Sequence, residues 1–161
     1  MAGLLKKETR ILGLSAPRKS RLKPIIGAIF RGNLWLDAIV TYLPIKSKVQ
    51  GLAAALQKTK QYSQIQAAIF SREDILEHKY QDYRRLSELI KFPVFTITKK
   101  PPERAPRNEF VRIQRDNGEL TLWINEYNPE RARELYTLGC TKGRSTPEAV
   151  RLAELIAGAL Q

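Results

Sequence analysis

A chain of 161 residues is long enough for one domain and short for two, and its 43% hydrophobic content excludes a disordered protein. Its 28 Lys and Arg against 16 Asp and Glu give a formal net charge of +12, which favours an anionic partner, foremost the phosphate backbone of a nucleic acid. There is no run of 18 apolar residues, no signal-peptide pattern near the start and one cysteine, so we expect a cytoplasmic protein without membrane spans or disulfides.

The first part of the chain predicts an antiparallel meander of three strands. These strands are expected at 9–15, 24–30 and 34–42. The second strand is almost continuously apolar, which indicates burial on both faces. Arg31-Gly32-Asn33 is typical of a hairpin turn, and Trp35 within the third strand is expected in the core.

Two crossover units follow, each a helix and then a short buried strand. The helices are expected from an N-cap at Ser47 to about Thr59 and at 82–91, and the strands at 65–70 and 93–98. The stretch 99–108 holds three prolines and four basic residues, which indicates a stiff basic loop.

The C-terminal part predicts a hairpin and two helices. Asn117-Gly118 separates strands at 109–115 and 119–124, and helices are expected to begin at Asn128-Pro129 and at Thr146-Pro147. The last helix has apolar residues that should pack on the sheet: Val150, Leu152, Ala153, Leu155, Ile156 and Leu160. We therefore predict one α/β domain over 1–161 with the strand order of the ribonuclease H-like fold, an order that implies no function by itself.

The sequence gives little indication of a metal site or of a reactive thiol. His78 and Cys140 are the only histidine and the only cysteine and lie far apart in the sequence, so no zinc site is predicted. Cys140 is interpreted as a small buried hydrophobic residue and His78 as a surface or helix-packing residue. No cofactor is expected, except Mg²⁺ or Mn²⁺ if the chain is a nuclease.

Four segments carry a recognisable pattern: the opening strand 6–14, the segment 30–37 (Phe-Arg-Gly-Asn-Leu-Trp-Leu-Asp), 92–94 and 100–102. They resemble an archaeal protein family related to endonuclease V. The resemblance covers about residues 4 to 102 well and the C-terminal part loosely, and it is most specific at Arg-Gly-x-x-Trp-Leu-Asp. It implies a ribonuclease H-like fold with nuclease ancestry, in which carboxylates on neighbouring strands hold divalent metal ions.

This chain departs from the pattern at the positions of those carboxylates. The resemblance implies an acidic pair after the first strand, where the chain has Ser15 and Ala16, and an Asp-Gly after the next parallel strand, where it has Ser71 and Arg72. Asp37 matches the family pattern. Glu73 and Asp74, slightly further along, are the candidates for a shifted substitute if the chain is an enzyme.

Basic residues cluster in four parts of the chain, and no acid occurs from Thr9 to Leu36. The nucleic-acid-binding candidates are Lys6, Lys7, Arg10, Arg18, Lys19, Arg21, Lys23, Arg31, Lys46, Lys48, Lys58, Lys60, Lys99, Lys100, Arg104, Arg107, Lys142 and Arg144.

Three hypotheses follow. The first is a non-catalytic nucleic-acid-binding protein, with RNA, including a ribonucleoprotein or ribosomal setting, slightly favoured over DNA. The second is a divalent-metal endonuclease that uses Asp37 with Glu73 or Asp74. The third is an assembly factor whose basic face meets an acidic protein. The tryptophans and several tyrosines offer possible base-stacking surfaces.

Overall fold

A computed structural model describes residues 8–19, 23–44, 47–98, 109–115, 118–124 and 128–160. Within them, seven strands form one sheet in the order β3-β2-β1-β4-β5-β7-β6. The strands are β1 Arg10–Ser15, β2 Ile25–Arg31, β3 Trp35–Tyr42, β4 Ile65–Phe70, β5 Val94–Thr98, β6 Phe110–Arg115 and β7 Gly118–Ile124. The helices are α1 Lys48–Gln57, α2 Lys79–Ile90, α3 Pro129–Leu138 and α4 Glu148–Ala159.

The strand pairing reproduces the predicted meander and crossovers. β1 to β3 pair antiparallel, whereas β1, β4 and β5 run parallel to one another. The hairpin β6–β7 then extends the sheet beyond β5 through antiparallel pairing of β7. β1 and β4 are therefore central, and all of β2 except its last residue is buried, as its apolar run predicts.

Local signals set the ends of several elements. Gly32 takes a φ of 56° in the turn between β2 and β3, a conformation that glycine adopts without steric cost. The Ser47 hydroxyl accepts a hydrogen bond from the backbone N of Gln50 at 3.3 Å and so caps α1. Asn128 caps α3 in the same way through the backbone N of Arg131, at 3.1 Å. The helix starts predicted at Ser47 and Asn128 are thus confirmed.

The sheet is covered by two helices on each face, which makes three layers. The first core cluster joins α1 and α2 to one face through residues such as Leu52, Leu56 and Tyr83. The second joins α3 and α4 to the other face through Leu135, Val150 and others. Cys140 is buried in this second cluster, as predicted, and its Sγ donates to the carbonyl of Tyr136 at 3.3 Å.

The packing of α4 corrects part of the prediction. Apart from Glu148 at its first position, its buried side chains are small, and Leu155 and Leu160 of the predicted apolar face are exposed. Small residues are needed because α4 crosses β1 at Gly13, where a Cβ atom would overlap the backbone of Ala149 and Val150. This close approach places the end of α4 beside the end of β1.

The prediction that Trp35 belongs to the core is wrong. Trp35 is 45% exposed and Ile39, on the same strand, is 48% exposed. The reason is the strand order: β3 is the edge strand, and α4 packs against β1 and β2. Of the helices in the described residues, none is long and apolar enough to cross a membrane.

Candidate functional site

The sheet has two ends that carry different groups of candidate residues. The end of the sheet at which β1, β4 and β5 finish is here called the carboxyl edge. The end at which these strands start is called the amino edge. In a parallel arrangement, ligands generally bind beyond the carboxyl edge, where strand ends and loops meet.

At the carboxyl edge, β1 and β4 end in two serines that contact each other. Ser71 Oγ donates to Ser15 Oγ at 2.8 Å, and both residues are buried. The backbone N of Ser71 also donates to the carbonyl of Leu14 at 2.9 Å, which continues the strand pairing to this point. Neutral hydroxyls that satisfy each other thus lie where the resemblance implies metal-holding carboxylates.

A pocket of about 180 Å³ opens beside this serine pair. Its walls come from the end of β1 and the loop after it, from the loop after β4, and from the last turns of α4. The lining residues are Ser15, Ala16, Pro17, Arg18, Arg72, Glu154, Ala157 and Gly158. The volume suits a group of a few heavy atoms, such as one phosphate.

Arg72 is held in the pocket wall with little freedom. Its side chain is 17% exposed, and its Nε lies 2.6 Å from Asp74 Oδ1 without the angle of a hydrogen bond. The hydroxyl of Tyr83 in α2 donates to the backbone carbonyl of Arg72 at 3.0 Å, which ties the loop after β4 to this helix. The Asp74 side chain is 63% exposed, so water screens its charge and weakens its attraction for Arg72.

Glu154 is the acidic member of the pocket. Burial raises the pKa of its carboxyl, and the positive charges of Arg18 and Arg72 oppose that shift. The residue as a whole remains exposed, so the burial is local to the carboxyl. Sequence reasoning missed Glu154 because α4 was assigned to packing; the available signal was an acid near the end of a helix expected to cover the sheet.

Glu73 lies at the same edge but makes different contacts. Its Oε2 accepts from Thr98 Oγ1 at 2.8 Å and from the hydroxyl of Tyr80 at 3.1 Å. Burial is the main cause that raises the pKa of Tyr80, with a contribution from the Glu73 charge. These contacts join the loop after β4 to β5 and α2.

Asp37, the third candidate carboxylate, lies at the amino edge. Its oxygens accept from Arg31 Nε at 2.8 and 3.0 Å and from Arg10 Nε at 2.9 Å, and its side chain is 9% exposed. Because Arg10 begins β1, the length of that six-residue strand, about 20 Å, separates Asp37 from the loop that carries Glu73 and Asp74. The structure does not bring the proposed nuclease carboxylates together.

The described part of the chain contains no group of three or more His, Cys, Asp or Glu side chains that could hold a metal ion. The hydroxyl pair Ser15–Ser71 also lacks the negative charge that Mg²⁺ or Mn²⁺ prefers. The residues at the ends of β1 and β4 therefore do not fit the metal ions that the resemblance implies, and we derive no catalytic step through them.

The basic candidates divide between the two edges. Arg18, Lys19 and Lys23 lie at the carboxyl edge, together with Lys48, whose Nζ donates to the carbonyl of Ile75 at 3.3 Å. The amino edge has the following described candidates: Arg10, Arg31, Lys58, Lys60, Lys142 and Arg144. Lys48 and Lys58 are thus separated by the length of α1, about 15 Å, and do not form one patch.

The remaining basic candidates lie outside the described residues. These are Lys6, Lys7, Arg21, Lys46, Lys99, Lys100, Arg104 and Arg107. The proline-rich loop 99–108 is among them.

No protein-family model matches the sequence. A UPF0215 protein of Methanothermobacter thermautotrophicus is 24% identical over 180 aligned positions, which span 95% of this chain and 88% of that protein. A crystal structure of a protein of unknown function from Archaeoglobus fulgidus superposes with a TM-score of 0.72 at 17% identity, over 94% of this chain and 97% of the other.

The chain is also similar in structure to endonuclease V of Ciona intestinalis. The TM-score is 0.64 at 11% identity, over 94% of this chain and 85% of the other. That protein was solved with a 23-mer DNA that contains an inosine followed by a ribo-adenosine. The likeness confirms the predicted fold: a mixed α/β fold with a seven-stranded sheet and four helices, of the endonuclease V and ribonuclease H-like kind.

Proposed function

We propose that this protein binds nucleic acid without cleaving it, and that its carboxyl edge takes a backbone phosphate in the pocket of Arg18 and Arg72. The observation that carries the proposal is the buried Ser15–Ser71 hydrogen bond with two arginines in the adjoining pocket wall. A carboxylate cluster would bind phosphate through metal ions, whereas the guanidinium groups of this pocket can donate hydrogen bonds to phosphate directly.

The charge around the pocket supports an anionic ligand. Lys19, Lys23 and Lys48 lie at the same edge, and the chain as a whole has a net charge of +12. Glu154 and Asp74 compete with a phosphate for the arginines, but Asp74 is mostly exposed and burial favours the neutral form of Glu154. Both acids can therefore give way at a small cost.

Similarity in fold supports a nucleic-acid ligand in particular. A neighbour of the same fold, endonuclease V of Ciona intestinalis, was solved with DNA bound. We propose RNA, in a ribonucleoprotein setting, because a rigid basic surface suits recognition by shape and phosphate position. We expect the RNA that binds to be cytoplasmic.

One experiment tests binding and cleavage together. The purified chain is incubated with a labelled RNA hairpin and a DNA duplex of equal length, with and without Mn²⁺, and read on native and denaturing gels. The proposal predicts a shifted RNA that remains intact under every condition. It also predicts that affinity falls by roughly 10³–10⁵ between 50 and 200 mM salt if six to ten phosphates are contacted.

The other outcomes point to the alternatives. Cleavage that depends on Mn²⁺ would refute the non-catalytic assignment, and Glu73, Asp74 and Glu154 would be the first residues to replace, because these three acids lie at the carboxyl edge. Tighter binding of the DNA duplex than of the RNA hairpin would mean that the ligand is DNA. No shift at low salt would refute both nucleic-acid hypotheses. The hypothesis of an assembly factor that binds an acidic protein would then remain.

A further inference from the structure

An exposed tryptophan lies at the amino edge, at the opposite end of the strands from the pocket. Trp35 is the first residue of β3, pairs with Arg31 across the hairpin and is 45% exposed. Leu34 beside it is 46% exposed. Together with Leu36, which is 39% exposed, these residues form a continuous stretch of exposed apolar side chains.

Arg31 covers the Trp35 ring with a cation that is itself held in place. Its guanidinium carbon is 5.1 Å from the ring centroid, and its Nε donates to both oxygens of Asp37 at 2.8 and 3.0 Å. Arg10 donates to the same carboxylate. Because one carboxylate holds two guanidinium groups, a positive charge remains in excess beside the Trp35 ring.

The turn next to Trp35 is joined to a second basic loop. Asn33 Nδ2 donates to the carbonyl of Cys140 at 2.7 Å, which brings the β2–β3 turn to the loop between α3 and α4. Lys142 and Arg144 in this loop are exposed. The carboxylate of Glu148 lies 3.9 Å from Arg144 but is engaged at 2.7 Å by Arg151, so it neutralises Arg144 only in part.

We propose that Trp35 and Arg31 form a stacking site for an unpaired nucleotide base, with Lys142 and Arg144 as contacts for the flanking phosphates. Aromatic rings set among cations are the usual platform for single-stranded nucleic acid, because every base offers a π-face and every linkage a negative charge. A second copy of this chain fits less well, since it would bring cations against cations. The inference rests on the proposed function only in that both ligands are nucleic acid.

The two tryptophans make a direct test possible. Trp123 is fully buried and its Nε1 donates to Glu109 at 3.2 Å, so an added ligand reaches the exposed Trp35 alone. Titration with a 12-nucleotide oligouridine should quench the tryptophan emission to saturation, whereas an RNA duplex of equal charge should leave it nearly unchanged.

Variants assign the effect to the ring. Trp35→Leu should weaken binding of labelled oligouridine, measured by fluorescence anisotropy, on the order of 10- to 100-fold. Trp35→Phe should fall between this variant and the unaltered protein, and Ile39→Ala, which removes an exposed apolar residue of the same strand, should leave affinity within about twofold. Thermal melting checks that each variant is folded.

Three results would overturn the proposal. They are oligouridine binding without a change in emission, equal affinity for Trp35→Leu and the unaltered protein, and loss of a dimer in sedimentation when Trp35 is replaced. Arg72→Gln separates this inference from the proposed function, because it should weaken binding of the RNA hairpin and leave the quenching of Trp35 in place. If the hairpin binds and oligouridine does not quench, the stacking site alone fails.

Discussion

Replacing Arg72 with glutamine tests whether the pocket at the carboxyl edge holds a phosphate. A hydrogen bond between an arginine and a phosphate contributes about 1.5–3 kcal/mol. Part of this is offset, because the Arg72–Asp74 contact at 2.6 Å must give way, and a pair with a mostly exposed partner contributes about 0–1 kcal/mol. The expected net loss on Arg72→Gln is therefore about 1–2 kcal/mol, or roughly 5- to 30-fold in the Kd for RNA.

The matched control is Arg85→Gln, which lies on the exposed surface of α2 and lowers the net charge of +12 by the same single unit. Binding of the labelled RNA hairpin is measured by fluorescence anisotropy at several salt concentrations. Arg72→Gln should reduce the magnitude of the negative slope of log K against log salt by about 0.7–0.9, which is the contribution of one phosphate contact. Arg85→Gln should change the Kd by less than about twofold.

Equal losses in the two variants would refute the reasoning, since they would mean that RNA responds to net charge and not to the pocket. Stability provides the second check. Asp74 is exposed and can be hydrated when its partner is removed, so Arg72→Gln should reduce the free energy of unfolding by less than about 1 kcal/mol. A larger loss in urea denaturation would show that the binding defect is a folding defect.

Three further predictions concern pH and packing. Because the pKa of Glu154 is raised, this carboxyl loses its negative charge, and the penalty for burying that charge, as pH falls. RNA affinity should therefore rise from pH 7 to pH 5. In a His78→Gln background, Glu154→Gln should abolish this rise in affinity. The hydrogen bond from Arg151 holds the pKa of Glu148 below its ordinary value, so this pair stabilises the fold above the unfolded pKa and the effect is lost as pH falls. Glu148→Gln should therefore cost about 1–2 kcal/mol in urea denaturation at pH 7 and much less near pH 3, whereas an equal cost at both would contradict the assignment. Gly13→Ala should cost about 3 kcal/mol or more in the same assay, because the added methyl group meets the backbone of α4, and an unchanged midpoint would show that α4 can shift.

The strands and helices were largely predictable because their signals are local. β4 was predicted at 65–70 and occupies Ile65–Phe70, and the caps at Ser47 and Asn128 lie where hydroxyl and amide side chains precede apolar periodicity. Trp35 was placed wrongly for a physical reason. An apolar residue in a strand is buried only if another layer covers that strand, and the strand order puts β3 at the edge.

The candidate site depended on contacts between distant parts of the chain. Ser15 and Ser71 are 56 residues apart and touch because β1 and β4 pair in parallel, and Glu154 joins them because Gly13 lets α4 lie close to β1. Asp37 matched a family pattern in sequence, yet its two arginine partners lie at the far end of the sheet from Glu73. Spacing along the chain does not encode these distances.

By itself, the sequence determined the element order, the class of fold and the excess of positive charge. Each of these follows from composition, periodicity or capping, which act over a few residues. Only the tertiary structure decided that the basic residues divide between two edges, that Arg18, Arg72 and Glu154 share a pocket, and that Trp35 is exposed. Strand order and register decide these features, because they determine which side chains from remote segments meet and which are left in solvent.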